Sequence, residues 1–255
     1  MGLPTLPRRS PAVPWPAILA VRGPGFRSEL HSHHSLHFVL AMDGELRVRS
    51  SARGRWSSVA GVLTAPNAPH AIDSDGVEVM LLFFDPHSEA GATLHAALAS
   101  AVRCLSEEER TEIVRQPVPA TTSGAEEWVR AAARTLHLPV PPVRRAIHPT
   151  VRRLLALLRA GGVDEEASLE TLAQVVGLSP SRLMHVFTTS MGIPLRPYLA
   201  WLRVQRAAVA IVNGETLTDA AQVASFSDAP HMSRTFRRML GARPSQLRRF
   251  VCGPW

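Results

Sequence analysis

The C-terminal fold is decided by the stretch Leu169-Glu-Thr-Leu-Ala-Gln-Val-Val-Gly-Leu-Ser-Pro-Ser-Arg-Leu-Met-His-Val-Phe187. Ala173 is small enough for two helices to cross closely, and Gly177 supplies the left-handed backbone that a sharp turn needs. Ser179 and Pro180 suit the N-cap and the first position of the next helix. The pattern predicts a helix-turn-helix.

A second copy of this pattern runs Leu217-Thr-Asp-Ala-Ala-Gln-Val-Ala-Ser-Phe-Ser-Asp-Ala-Pro-His-Met-Ser-Arg-Thr-Phe236. Ala221 is the small crossing residue, and Asp228 is placed to cap the second helix. Residues 195–213 predict a connecting helix that Gly214 ends, roughly 28 Å long at 1.5 Å per residue. Successive major grooves of B-DNA lie about 34 Å apart, so this length favours two units that read adjacent grooves.

The charge of the chain is unevenly distributed. Arginine supplies all 28 basic residues, and the formal net charge is +7 over 255 residues. Residues 1–147 hold 15 arginines and 14 acidic residues, whereas residues 148–255 hold 13 and 7. The excess therefore accompanies the two helix-turn-helix patterns, which favours a polyanion-binding half over a merely solvated basic surface.

Composition excludes several other classes of protein. A hydrophobic content of 45% argues against a disordered or fibrous chain. Two cysteines, Cys104 and Cys252, are too few for a disulfide framework or a thiolate zinc site. The longest strand-like apolar run, Val77 to Phe84, is interrupted by Glu78 and is far shorter than a membrane span of about 18 residues. Prolines at 11, 14 and 16 interrupt any signal sequence, so we expect a cytoplasmic protein.

The N-terminal half has a different pattern. Leu46 and Val48 alternate with charged residues, and Asp43-Gly44 and Asp75-Gly76 are tight-hairpin dipeptides. Residues 25–86 are therefore predicted to form an antiparallel sheet or small barrel. From about 88 to 138 the pattern is helical, and Ser106 with Glu109 predicts a capping box. A Pro-rich break at 139–142 follows.

Residues 150–250 resemble the DNA-binding domain of the AraC/XylS family of bacterial transcription regulators. The resemblance rests on matching residues along both helix-turn-helix units and the helix between them: Leu172, Ala173, Gly177, Leu178, Ser179, Leu183, Phe187, Gly192, Pro197, Tyr198, Arg203, Ala207, Phe226, Ser227, Asp228, His231, Ser233, Arg234, Phe236, Arg237, Arg238, Gly241, Pro244 and Ser245. One departure is Ser225, where the family usually has glycine. If that turn needs a positive φ, serine costs about 1 kcal/mol there.

The resemblance implies which side chains face DNA. The exposed face of each recognition helix would reach base edges, and arginine suits the major-groove edge of guanine. The candidate base-reading residues are Ser181, Arg182 and His185 in the first helix and Ala229, His231 and Arg234 in the second. Thr189 and Ser233 are further candidates for DNA binding. Arg196, Arg237 and Arg238 are candidates for phosphate contacts. Tyr198 and Trp201 are interpreted as core residues, because their helix is rich in leucine.

Four of the 11 histidines lie in His31-Ser-His-His-Ser-Leu-His37. On a strand, His31, His33 and His37 would share one face and His34 would point away. The run from Gly25 to Gly44 resembles the first cupin motif, with His37 where cupin enzymes commonly carry glutamate. Residues 66–70, which end in His70, resemble the second motif. His31, His33, His37 and His70 are thus a candidate site for zinc, nickel, copper or iron. The alternative is an organic effector in a barrel whose histidines bind no metal.

These observations define the expected architecture. We expect an α+β multidomain chain: an arm over 1–24, a cupin-like sensory domain over 25–138 (barrel 25–86, helices 88–138), a linker over 139–148, and an all-α double helix-turn-helix domain over 149–255. The resemblance implies a regulator, with activator as the expected sign, that binds a DNA operator and a small-molecule or metal effector. A homodimer and RNA polymerase are the other expected partners, and a membrane is not. The alternative is a metal-dependent cupin enzyme fused to a DNA-binding domain; catalysis is not expected, because His37 replaces the usual carboxylate.

Overall fold

The computed structural model describes residues 18–117, 122–138, 147–159 and 167–252. Nine strands and ten helical segments alternate along these ranges. In chain order they are β1 Ile18–Pro24, β2 Leu36–Ala41, β3 Leu46–Arg49, β4 Ser57–Val59, β5 Gly61–Thr64, β6 Ala71–Asp73, β7 Glu78–Phe84, α1 Glu89–Ala97, β8 Val102–Leu105, α2 Glu107–Val114, α3 Thr122–Thr135, α4 Pro149–Arg159, α5 Leu169–Val175, α6 Pro180–Met191, α7 Leu195–Val212, α8 Leu217–Val223, α9 Ala229–Leu240, a 3₁₀ helix Pro244–Arg249 and β9 Val251–Cys252.

The largest sheet has six antiparallel strands in the order β8-β5-β2-β7-β1-β9. Its central strand β2 is buried at every position. Phe38 and Leu40 join the core beneath α1–α3, whereas Val39 and Ala41 join the core on the opposite face. This double burial explains why β2 does not show the polar alternation of a half-exposed strand.

The second sheet has three strands in the order β4-β3-β6. Leu46 and Val48 of β3 are buried and Arg47 is exposed, as the alternation predicts. The antiparallel β domain is confirmed, but the closed barrel is not. The described strands form two separate open sheets. The segment of His31 adjoins β6 through isolated bridges at Arg27–Asp73 and His31–His70 and through hydrogen bonds between Ser28 and Ile72.

The helices after the sheets cover one face of the large sheet. Trp128, Ala132 and Leu136 of the α3 region are buried against Phe38 and Phe84, with Trp128 and Phe84 stacked at a centroid distance of 5.6 Å. The capping box of α2 is present: Ser106 accepts from the amide of Glu109, and the Glu109 carboxylate accepts from the amide of Ser106. Strand β8, which sequence reasoning missed, lies between α1 and α2.

The chain divides into two compact units. Among the described residues, the small unit comprises 147–159 and 167–195, and it contains α4, α5 and α6. The large unit comprises 18–117, 122–138 and 196–252, and it contains both sheets, α1–α3, nearly all of α7, and α8 and α9. The second helix-turn-helix pattern therefore belongs to the same unit as the sheets, a division that differs from the expected boundary at 148.

Two features join the C-terminal helices to the sheets inside the large unit. β9 pairs with β1, so that Val251 lies opposite Arg22. Trp201 and Val204 of α7 share one hydrophobic core with Leu81 of the large sheet. Residues 18–24 were assigned to an N-terminal arm but form strand β1. No helix within the described ranges combines the length and apolar character needed to cross a membrane.

Candidate nucleic-acid interface and metal centre

The helix pair α5–α6 has the geometry that its sequence predicts. Gly177 adopts a φ of 72° in the turn. Ser179 is the N-cap of α6 and accepts a hydrogen bond from the amide of Arg182, with Pro180 at the first helical position. Gly192 ends the helix with a φ of 65°. Leu183 and Phe187 are fully buried, which fixes the opposite face of α6 outward.

That outward face carries all four residues of α6 that are predicted to bind DNA. We call α6 the first reader and α9 the second reader. Ser181, Arg182, His185 and Thr189 are exposed. Met184 lies on the same helix and is 48% exposed, and it was not identified from the sequence. An apolar side chain in such a position can contact the methyl group of thymine in the major groove. The exposed face of α6 is therefore chemically mixed, with donors, acceptors and one apolar group.

The helix pair α8–α9 repeats the design with differences. Ser225 adopts a φ of 56° in the turn, so the family position normally held by glycine does require left-handed backbone. Asp228 caps α9 by accepting from the amide of His231. The ring of His231 is half-buried, lies 5.3 Å from that of Phe226, and is hydrogen-bonded to Ser227 Oγ at 3.1 Å.

The residues of α9 that are predicted to bind DNA are less uniformly exposed than those of α6. Ala229 and Ser233 are half-buried like His231. The arginines assigned to base or phosphate contacts are all exposed: Arg234, Arg237, Arg238 and, on α7, Arg196. Tyr198 and Trp201 are buried, as their interpretation as core residues requires. The second face thus presents mainly arginine, whereas the first also presents Ser181, His185 and Thr189.

Three of the four predicted metal-ligating histidines form a cluster. One ring nitrogen from each of His31, His33 and His70 lies within 4.8 Å of the others, and all three residues are buried. The ring centroids of His31 and His70 are 4.3 Å apart. Their segments are held together by reciprocal backbone bonds between His31 and His70, of 2.9 and 3.0 Å.

Hydrogen bonds fix the tautomers of two of these rings. The Nδ1–H of His31 donates to the carbonyl of Glu29, and the Nδ1–H of His70 donates to the carbonyl of Ala68, both at 2.8 Å. Each Nε2 therefore keeps its lone pair, and His70 Nε2 is buried without a hydrogen-bond partner among the described residues. A backbone carbonyl on the second ring nitrogen is the arrangement that metal-bound histidines commonly have.

Burial keeps these rings neutral. Burial, followed by the proximity of His70, lowers the pKa of His31 to about 3. Burial is also the main cause that lowers the pKa of His33 and of His70 below the ordinary range. Neutral imidazole is the form that binds a metal, so these rings are in the ligating state at neutral pH.

The fourth histidine lies beside the cluster. His37 Nδ1 and His33 Nε2 are 3.3 Å apart, and the His37 ring stacks on Phe83 at 4.0 Å. Its Nε2 is buried and has no hydrogen-bond partner among the described residues. His34 points elsewhere, toward His87, with 3.0 Å between their Nε2 atoms. His37 thus adjoins the three clustered histidines without belonging to their group. His31 and His33 precede regular strand β2, which begins at Leu36, so strand parity does not bring them together.

The second helix-turn-helix unit packs directly against this cluster, a feature that sequence reasoning missed. Trp201 of α7 stacks on His33 with a centroid distance of 5.2 Å. At the end of α9, the amide of Glu29 donates to the carbonyl of Gly241 at 2.8 Å. A Cβ atom added to Gly241 would lie 2.6 Å from His31 Nδ1 and 2.4 Å from the carbonyl oxygen of Glu29. Glycine is therefore needed here for space as well as for its φ of 61°.

A small, largely apolar cavity adjoins the histidines. His31 and His37 form part of its wall, and Ser28 and Ser74 are also at its boundary. Its remaining lining comes from both sheets, from the segment before β2, and from the end of α9 and the residues after it: Phe26, Val39, Ile72, Val79, Leu81, Phe83, Leu240, Ala242 and Leu247. The cavity combines an apolar body with a small group of ring nitrogens and hydroxyls.

The described residues form a β domain followed by the helix pairs α5–α6 and α8–α9. A family model described as a helix-turn-helix domain matches residues 172–249. The chain is 32% identical over 114 residues to the arabinose operon regulatory protein of Escherichia coli (strain K12), covering 42% of this chain and 38% of that protein. It is 35% identical over 85 residues to an uncharacterized HTH-type transcriptional regulator of Staphylococcus aureus (strain MSSA476), covering 33% of this chain and 11% of that protein.

Solved structures extend the likeness of fold to most of the chain. ToxT from Vibrio cholerae, in its apo form, matches with a TM-score of 0.58 at 10% identity, covering 90% of this chain and 96% of that one. ToxT with a bound unsaturated fatty acid matches with a TM-score of 0.54 at 10% identity, covering 90% and 93%. Residues 172–249 therefore match a helix-turn-helix domain family, and the likeness over the rest of the chain is one of fold. The chain spans only about a tenth of the staphylococcal relatives and under two fifths of the arabinose regulator.

Proposed function

We propose that this protein is a sequence-specific DNA-binding transcription regulator whose β domain binds an effector. The observation that carries the DNA-binding part is the outward face of α6, where four predicted reader side chains are exposed while Leu183 and Phe187 fix the buried side. Recognition helices of this kind place their exposed residues against base edges in the major groove. The exposed arginines of α9 supply a second reader and phosphate contacts.

Selection from a random duplex library with the full-length protein tests this proposal. We expect enrichment of a site with two half-sites, about one helical turn apart, that correspond to the two helix pairs. Arg182→Ala should lose preference at one base pair of that site. Arg115→Ala is the matched control, because it removes one exposed arginine from the end of α2. Recovery of no common motif, or equal weakening on selected and scrambled duplexes by Arg182→Ala, would contradict the proposal.

The effector proposed for the β domain is a divalent transition metal. His31, His33 and His70 would hold it, and the orphaned Nε2 of His70 and the carbonyl-oriented rings are the observations that fit a metal. Three nitrogen donors suit zinc, nickel, copper or iron. A metal bound to His31, His33 and His70 would link the histidine segment to the residues at the start of β6 and so fix their relative position.

Contacts within the large unit give this site a path to the second reader. Glu29 binds both His31, through its carbonyl, and Gly241 at the end of α9, through its amide. Trp201 of α7 lies on His33. A shift of His31 or His33 on metal binding therefore has to be accommodated by α7 or α9. An effector alters DNA affinity only if it favours one arrangement of these elements over another.

Metal titration of chelator-treated protein tests the effector. We expect zinc or nickel to raise the thermal midpoint and to change affinity for the selected DNA site, and His70→Ala to abolish both effects. His34→Ala is the control, because His34 is a buried residue of the same segment that faces His87. A metal shift that survives His70→Ala, or no shift for any of the four metals, would reject the metal and leave DNA binding untouched.

The alternative effector is a small organic molecule in the apolar cavity. ToxT was crystallised with an unsaturated fatty acid, and the cavity here offers an apolar lining beside His31 and His37. A thermal shift with an unsaturated fatty acid, but with no metal, would favour this form of the proposal. A metal-dependent enzyme is less well supported, because the Asp73 carboxylate is paired with Arg47 and no carboxylate belongs to the histidine cluster among the described residues.

A further inference from the structure

Residues 1–147 are nearly neutral in total, but their arginines and acidic residues are concentrated in different regions. Between Glu45 and Asp73 the sequence has four arginines, at 47, 49, 53 and 55, and no acidic residue. The acidic residues are concentrated elsewhere, for example on α2. A local excess of arginine therefore exists on the small sheet although the half as a whole carries only one net positive charge.

These arginines converge on one aromatic ring. The guanidinium carbons of Arg49, Arg27 and Arg47 lie 4.8, 5.4 and 5.9 Å from the ring centre of Trp56. Arg47 and Arg49 are two residues apart on β3, so they share the outer face of the sheet. Cation–π contact holds the three guanidinium groups close together in spite of their like charge.

Most of this charge is not neutralised by the protein. Arg47 pairs with Asp73, but no described carboxylate forms an ion pair with Arg27 or Arg49. The Nε of Arg49 is buried without a hydrogen-bond partner among the described residues, although its Nη1 donates to the carbonyl of Ala52 at 3.0 Å. We call Arg27, Arg47, Arg49 and Trp56 the arginine patch.

The arginine patch is connected to the end of the second recognition helix. Arg27 lies two residues before Glu29, whose amide is bonded to Gly241 at the C-terminal end of α9. Two residues span at most about 7 Å along the chain. Exposed Arg237, Arg238 and Arg243 surround Gly241 in the sequence. Exposed arginines therefore lie near both ends of the Glu29–Gly241 hydrogen bond inside one compact unit.

We propose that the arginine patch is an accessory DNA-backbone site that binds phosphates flanking the sequence read by α9. Guanidinium groups bind phosphate oxygens in pairs, and exposed serines such as Ser57 and Ser58 supply further donors of the kind that contact phosphate. An acidic protein segment would satisfy the same charges, but the continuity with α9 favours the DNA duplex. This inference rests on the proposed function, since α9 must lie on DNA for the patch to reach the flanking backbone.

The salt dependence of binding tests this site on the full-length protein. Affinity for a 40-base-pair duplex of arbitrary sequence is measured between 50 and 200 mM salt by fluorescence anisotropy. Each phosphate contact contributes about 0.9 to the slope of log K against log salt. We expect the double variant Arg27→Gln, Arg49→Gln to lower the slope by about 1 to 2. The control Arg22→Gln, Arg115→Gln makes the same charge change at residues paired with Glu78 and Glu112, and its slope should be unchanged.

The possible results separate the two proposals. Equal slopes for the two double variants and the wild type would overturn the arginine patch while leaving DNA binding by the helix pairs intact. If both double variants lower the slope equally, the change follows from net charge alone, and the proposed role of the arginine patch is wrong. Loss of binding to poly-glutamate with an unchanged DNA slope would overturn it in favour of an acidic protein partner. Failure of the wild type to bind any duplex at 50 mM salt would contradict the proposed function itself.

Discussion

The two helix pairs share a local design but differ in their surroundings. α6 and α9 each follow a left-handed turn, carry a side-chain N-cap and proline, and end at a left-handed glycine. Around Gly192, at the end of α6, a Cβ would meet nothing within 4 Å. Around Gly241, at the end of α9, it would collide with the histidine segment. The comparison teaches that the helix pair α8–α9 is packed into the unit that holds the sheets and the histidine cluster, whereas α5–α6 belongs to a separate unit.

The largest expected difference between the two units is in how far acid lowers their free energy of unfolding. The pKa of His31 is lowered to about 3 and that of His34 to about 4, mainly by burial, from about 6.5 in the unfolded chain. Between those values the unfolded state binds more protons, so the free energy of unfolding falls as pH falls below 6.5. At pH 5 each histidine should cost about 2 kcal/mol. The histidines of the small unit, His148 and His185, are exposed.

Urea unfolding of chelator-treated protein checks this expectation. Trp56, Trp128 and Trp201 lie in the large unit, and the described part of the small unit contains no tryptophan. With Trp15 and Trp255, which lie outside the described residues, replaced by phenylalanine, tryptophan fluorescence reports on the large unit alone. The fluorescence midpoint should fall steeply from pH 7 to pH 5. A midpoint that does not change over this range would refute the neutral burial of the histidines.

Substitution of the two terminal glycines is the next largest contrast. Gly192→Ala should cost about 1 kcal/mol, because alanine is strained in left-handed backbone. Gly241→Ala should cost about 3 kcal/mol, because its Cβ also overlaps His31 and Glu29. Thermal unfolding of both variants measures the difference. If the two variants lose the same stability, the close contact between α9 and the histidine segment is wrong.

Local and long-range features differ in how well the sequence predicts them. Gly177, Ser179 and the capping box of Ser106 are recognisable because each acts within a few residues of its own position. The outward face of α6 follows from the same short periodicity. The contact between Gly241 and His31 spans 210 positions of the chain, and no spacing rule connects them. The open sheets and the arginine patch likewise depend on strand order, which alternation along one strand does not reveal.

The two recognition faces should contribute differently to specificity. Arg182 is exposed and its side chain forms no hydrogen bond with the described residues, whereas His231 is hydrogen-bonded to Ser227 and packed on Phe226. Arg182→Ala should therefore cost about 2 kcal/mol of discrimination at one base pair, and His231→Ala about 1 kcal/mol or less. Competition gel shifts with single-base variants of the selected site measure both. A larger loss for His231→Ala would reverse the assignment of the dominant reader.

The smallest contrast concerns the two turns. Ser225 has a φ of 56° where the first unit has Gly177 at 72°, and a residue with a Cβ is strained in this conformation. Ser225→Gly should stabilise the large unit by about 0.5 to 1 kcal/mol, since glycine relieves this strain but loses more entropy on folding. The bond from Arg203 Nη1 to the Ser225 carbonyl, at 3.3 Å, involves only the backbone and should survive. Gly177→Ser is the reciprocal variant and should destabilise the small unit by about the same amount. If Ser225→Gly instead lowers the fluorescence midpoint, the hydroxyl of Ser225 stabilises the turn more than its backbone strain weakens it.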